Sequence, residues 1–141
     1  MVITAWLGIM HENLVKRMVP LLSGSPAINA GTSVGATSTD QRGLPRFGPV
    51  DIGAFESQGF TLTTPHGTSF STPPGDDFSP LLVHVAAVNP DEPVAGGVIT
   101  YQTIGDFSAS FSGSNRASAT ISSQGNASVT ATANNSDHVQ T

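Results

Sequence analysis

Ala117-Ser-Ala-Thr-Ile121 and Ala127-Ser-Val-Thr-Ala-Thr-Ala133 place an apolar residue at every second position with hydroxyls between them, and Phe107-Ser-Ala-Ser-Phe111 does the same just upstream. A period of two sends alternate side chains to opposite faces of a strand, so the three runs predict half-buried strands with one apolar and one hydroxylated face. Ser112-Gly-Ser-Asn115 and Ser122-Ser-Gln-Gly125 are breaks of hairpin length between them. Further upstream, Phe60 and Leu62 open the pattern, Leu81-Leu-Val-His-Val-Ala-Ala-Val88 reads as a strand, and Val94 to Gln102 reads as the next. Asn89-Pro-Asp-Glu-Pro93 separates the last two as a turn, because Pro fixes φ and Asn and Asp side chains bond to nearby main chain. Short strands with turns at this spacing predict an antiparallel β-sandwich over residues 59–141.

Residues 1–58 read differently. Trp6, Met10, Leu14 and Met18 recur every four residues, with Leu7 and Val15 beside them and His11, Glu12, Asn13, Lys16 and Arg17 opposite. That stripe predicts a short amphipathic helix ended by Pro20, with Glu12 and Lys16 paired one turn apart. The narrow stripe and few cations favour docking on neighbouring structure over a membrane-surface role. From residue 20 to 58, turn formers interrupt every apolar run, which predicts short β segments joined by tight loops. Arg42 and Arg46 lie close in sequence to Asp40, Asp51 and Glu56, and these charges are expected to pair and pin the loops.

The chain has 141 residues, only 11% of them charged, with 15 Gly, 10 Pro and no Cys. A length of this order allows one ordinary domain or two small ones with a modest core, and the composition suits strands and turns. The net charge of −5 sits in the C-terminal part, where Arg116 alone faces Asp76, Asp77, Asp91, Glu92, Asp106 and Asp137. Nucleic acid and anionic membranes both require a clustered basic face, so neither is an expected partner. The apolar opening from Met1 to Met10 lacks a basic stretch before it and is too short to span a bilayer. If the protein is exported, its signal is expected upstream, making this chain a fragment.

Without cysteine there is no disulfide framework, thiol nucleophile or thiolate metal site. Gly31-Thr-Ser-Val-Gly35 satisfies the nucleophile-elbow pattern around Ser33, yet Ala-Thr-Ser-Thr-Asp follows it where that elbow needs a helix. His11, His66, His84 and His138 have none of the spacings of a zinc site, and His84 alternates with Val83 and Val85 as an outward strand residue. Asp76-Asp77 and Asp91-Glu92 lie in Pro-bounded loops without a calcium-loop pattern, and are expected to be solvated loop acids. No catalytic, cofactor-binding or metal-ligating residue is therefore assigned.

Two stretches resemble known families. Leu22-Ser-Gly-Ser-Pro-Ala-Ile-Asn-Ala-Gly31, Ser38-Thr-Asp-Gln-Arg-Gly-Leu-Pro-Arg46 and Val50-Asp-Ile-Gly-Ala-Phe-Glu56 together resemble the C-terminal end of the choice-of-anchor Q family. Those are large secreted bacterial proteins whose preceding chain looks like a right-handed parallel β-helix of the pectate-lyase-like type. Val94-Ala-Gly-Gly-Val-Ile-Thr-Tyr101 and Ala119 to Asn134 are similar to bacterial Ig-like repeats of the invasin and intimin kind. Such repeats end in a further strand, whereas this chain stops at Asp137-His-Val-Gln-Thr141.

The expected fold is mainly β: a short helix and loop-rich β-helix-end remnant over residues 1–58, then an Ig-like antiparallel β-sandwich over residues 59–141 lacking its last strand. The resemblances imply a non-catalytic structural or adhesive module, a spacer or presenter of binding surface, on a secreted or cell-surface bacterial protein. The alternative is an accessory C-terminal region of a polysaccharide-active β-helix enzyme whose catalytic part is not in this chain. Expected partners are neighbouring domains of a longer chain, with another protein strand or a surface glycan as further candidates.

Overall fold

The computed structural model describes residues 18–46, 48–65, 71–104 and 109–134. The helix expected over residues 6–18 falls almost wholly outside them. Among the described residues there is no helix, and every paired strand is antiparallel. The chain divides into two compact units: residues 18–21 with 25–58, and residues 22–24 with 59 onward.

In the second unit, β1 (Phe60–Thr63), β2 (Leu81–Ala87) and β6 (Asn126–Val129) form a three-stranded sheet in the order β1-β2-β6. A second sheet pairs β3 (Val98–Gln102) with β5 (Arg116–Thr120), and a third pairs β4 (Ala109–Ser110) with β7 (Thr132–Ala133). The β3–β5 ladder extends at both ends, from Thr103 N–H to Asn115 O (3.0 Å) and from Ile121 N–H to Gly97 O (2.8 Å). On the other side of β3, Ser23 O accepts the Val98 N–H at 2.9 Å, which is why residues 22–24 belong to this unit.

The alternating run from Ala127 to Ala133 is one strand by periodicity, yet it serves two sheets. Its first half pairs with β2, its second with β4. Residues 75–78 also pair with the second half, through Phe78 N–H to Ala131 O (2.8 Å) and the Asp77–Thr132 bridge. From Asp77 to Leu81 the chain advances four positions, while its partner advances three from Val129 to Thr132. The extra residue is a β-bulge at Ser79-Pro80, where proline has no N–H to lose from the ladder. A bulge bends the strand pair and increases its twist, and here the bend coincides with the change of sheet.

Val85, Ile121 and Ala127 form the buried centre, and Phe60, Val83, Val94, Ile99 and Ala119 pack around it. These side chains come from the β1-β2-β6 and β3–β5 sheets alike, so one apolar cluster joins the two. Burial on β3 and β5 alternates residue by residue, as a period of two requires. Phe111–Ser114 is a tight turn whose ends exchange hydrogen bonds of 2.8 and 3.0 Å across Ser112 (φ 50°) and Gly113 (φ 81°). Two consecutive positive φ values make it a type I′ hairpin, the turn whose twist matches that of the strands.

Candidate functional site

The first unit has no extended strand among its described residues; its regular pairing is a single bridge from Thr39 to Pro45. Loops without ladders leave main-chain N–H groups needing acceptors. Three buried carboxylates supply them. Asp40 Oδ1 accepts the N–H groups of Arg42 (2.8 Å) and Leu44 (3.1 Å), and its Oδ2 accepts that of Glu56 (3.1 Å). Asp51 accepts Asn29 N–H and Ser57 N–H, each at 2.7 Å, one on either oxygen. Glu56 Oε2 accepts Asp51 N–H at 3.0 Å. Each acid thus fastens its own loop to another.

Two arginines pair with Asp40 and Glu56. Arg42 donates from Nε (2.8 Å) and Nη2 (2.7 Å) to Asp40 Oδ2, and Nη2 also reaches the Glu56 carbonyl. Its guanidinium lies 3.6 Å from the centroid of the buried Phe55 ring, a cation–π stack. Arg46 donates from Nη1 to Glu56 Oε2 (2.8 Å) and from Nη2 to Gly53 O (3.0 Å). Burial pushes the Asp40 pKa up, but the Arg42 guanidinium and the main-chain N–H groups of Glu56, Arg42 and Leu44 outweigh it and hold the carboxyl below its usual 3.8.

An open groove of about 670 Å³ runs over this cluster, lined by Gly31, Thr32, Ala36, Arg46, Asp51 and Ile52 among others. Arg46 Nε, on its wall, is buried without a hydrogen-bond partner. Also in the wall, both Asp51 oxygens hold main-chain N–H groups and both Arg46 terminal nitrogens are engaged. Asp51 and Glu56 thus hold main-chain N–H groups of neighbouring loops.

The other sequence candidates are scattered. Ser33 is exposed in a turn closed by Ala36 N–H to Ser33 O at 3.2 Å, and no helix follows it. His84 is exposed on β2 with Nδ1 3.0 Å from Asn126 Oδ1. His11, His66 and His138 lie outside the described residues. Asp77 is exposed and accepts the Thr132 hydroxyl at 2.6 Å, buttressing the edge beside β7. Asp91 is exposed in an Asx turn on Asn89, but Glu92, expected in solvent beside it, is only 3% exposed. The turn closed by Glu92 N–H to Asn89 O (3.0 Å) returns the chain inward at that residue, a consequence of geometry that composition does not carry. No group of three or more His, Asp or Glu able to hold a metal occurs among the described residues.

Sequence reasoning passed over Tyr101. It lies on the core side of β3 together with Ile99, and its hydroxyl donates to Ala127 O at 2.8 Å. Its signal was there to read, since the only tyrosine of the chain falls at an inward position of an alternating run. Compared with protein-family models, curated proteins and solved structures, the chain matches none of them.

Proposed function

We propose that the chain is a non-catalytic structural or adhesive module of a secreted or cell-surface bacterial protein, with its second unit an Ig-like β-sandwich that spaces and presents surface. The observation that carries this reading is the division of labour between faces. Val85, Ile121 and Ala127 close one apolar core between two antiparallel sheets, while the outward face of β3–β5 carries exposed Thr100, Ser118 and Thr120, with the first two hydroxyls 3.1 Å apart. A strand that leaves one sheet for another, as residues 126–133 do, is a recurrent device of sandwich folds. The first unit fits the same role: its acids and arginines fasten loops, in keeping with the resemblance of residues 22–56 to the end of a choice-of-anchor Q protein. Among the described residues no helix is long and apolar enough to cross a membrane.

The reading is tested by incubating the chain at high concentration with anionic and neutral polysaccharides and measuring new reducing ends. None is expected. Release that grows in proportion to added protein would overturn the proposal. Displayed on a bacterial surface between an anchor and an epitope, the chain is expected to keep the epitope accessible and itself resistant to protease.

A further inference from the structure

β1 is an end strand of its sheet, and the hydrogen-bond phase decides which of its groups face outward. Val88 N–H donates to Gly59 O at 2.9 Å, and Phe60 to Thr63 continue in the same register opposite Ala87 to His84. Antiparallel ladders bond at alternate pairs, so Gly59, Thr61 and Thr63 turn their main-chain groups toward β2. Phe60 and Leu62 turn theirs away, where no described residue bonds to them. The Leu62 side chain shares the core-side face with Phe60 but is 57% exposed at the rim.

Edge strands of this kind are commonly blunted by a charge or a bulge. Neither is present: residues 57–65 contain no Asp, Glu, Lys or Arg and β2 behind them contains none either, although β1 is only four residues long and Pro65 lies just beyond it. In a chain of net charge −5, this is an approach along which two copies meet without opposing acidic side chains. The outward groups are also self-complementary. With two β1 strands antiparallel and Thr61 on the two-fold axis, Phe60 of each copy faces Leu62 of the other, and both pairs fall in the bonded phase.

We propose that β1 pairs edge to edge with β1 of a second copy of this chain, Thr61 opposite Thr61, joining two three-stranded sheets into one of six. Four residues a side bury far less than the roughly 1,000 Å² of a durable interface, so the pairing is expected to be weak and reversible. On a crowded surface such weak contacts act by number.

The register is testable because the chain has no cysteine. At the two-fold axis Thr61 forms a non-bonded pair, with Cα atoms about 4.5 Å apart, within reach of a disulfide. Thr63 is opposite Gly59 of the other copy in the same register and cannot meet itself. Both are exposed, so substitution leaves the core intact. Under mild oxidation at about 0.1 mM, Thr61→Cys is expected to form a disulfide dimer at least tenfold faster than Thr63→Cys, and Leu62→Lys added to Thr61→Cys is expected to abolish that advantage. Sedimentation of the unaltered chain is expected to show a monomer–dimer shift over the same concentrations. Equal rates for the two cysteine variants, or a strict monomer up to about 1 mM, would overturn the proposal; a monomer that instead takes up an extended peptide at β1 would assign the edge to another protein's strand.

Discussion

The hydroxyl of Tyr101 on β3 donates to the main-chain carbonyl of Ala127 on β6 across 2.8 Å, tying together two sheets that share no ladder. The ring also meets Phe111 edge-on, with centroids 6.5 Å apart. Tyr101→Phe keeps the ring and removes the bond, so it is expected to cost about 1 kcal/mol in urea unfolding followed by circular dichroism. A loss below about 0.3 kcal/mol would mean that water replaces the hydroxyl without penalty.

The same residue makes the second unit sensitive to alkali. Burial raises the Tyr101 pKa above its usual 10.0. A group with a raised folded pKa lends stability that is complete below the unfolded value and lost as pH climbs through the folded one. Ultraviolet titration of the folded chain should therefore place phenolate formation above pH 10, and the melting temperature should fall across that range. Tyr101→Phe should remove the part of the fall due to this group.

In the first unit the sign is reversed. Asp40 has its pKa lowered, so its contribution is present above about 3.8 and fades as pH drops through the folded value. The amide signals of Leu44 and Glu56, whose N–H groups bond to this carboxylate, should titrate together below 3.8 in an NMR series. Asp40→Asn should abolish that joint transition and destabilise the unit by roughly 3 kcal/mol, since the Arg42 guanidinium loses its counter-charge while remaining mostly buried.

Carboxylates that look alike in sequence are set apart by burial. Glu56 is 1% exposed and joins Arg46 to the Asp51 N–H, whereas Asp76 is exposed. Glu56→Ala should cost roughly 3–5 kcal/mol by stranding a buried cation, and Asp76→Ala less than about 0.5 kcal/mol. Thermal melts of the two variants against the parent chain give the comparison.

What could be read beforehand follows the range of the interaction. Alternation in Arg116–Thr120 and Asn126–Val129 is local, so those strands are legible from their own residues. The break at residues 130–131 is not, because it answers to a bulge at Ser79-Pro80, far back in the chain. Likewise Val94–Gly97, expected as strand, is a turn closed by Gly97 N–H to Val94 O, and β3 begins at Val98. Pairing of Arg42 and Arg46 with nearby acids was legible from proximity. That Arg42 takes Asp40 while Arg46 takes Glu56, and that all three acids also hold main-chain N–H groups, depends on how the loops cross.

Gly125 and Gly113 separate two costs that a glycine can conceal. Their φ values, 79° and 81°, lie in the left-handed region, where any side chain loses about 1–2 kcal/mol. At Gly113 a Cβ would meet nothing within 4 Å, while at Gly125 it would lie 2.6 Å from Val85 O and 2.9 Å from His84 Cε1. The carbonyl cannot retreat cheaply, because Gly125 O accepts the Val85 N–H at 2.8 Å and Val85 is at the centre of the core. Gly113→Ala should thus lower stability by about 1 kcal/mol, and Gly125→Ala by roughly 3 kcal/mol or more, as the β2–β6 ladder opens at its end. Matching urea midpoints for the two variants would show that backbone conformation alone sets the cost and that β2 and β6 can separate there without loss.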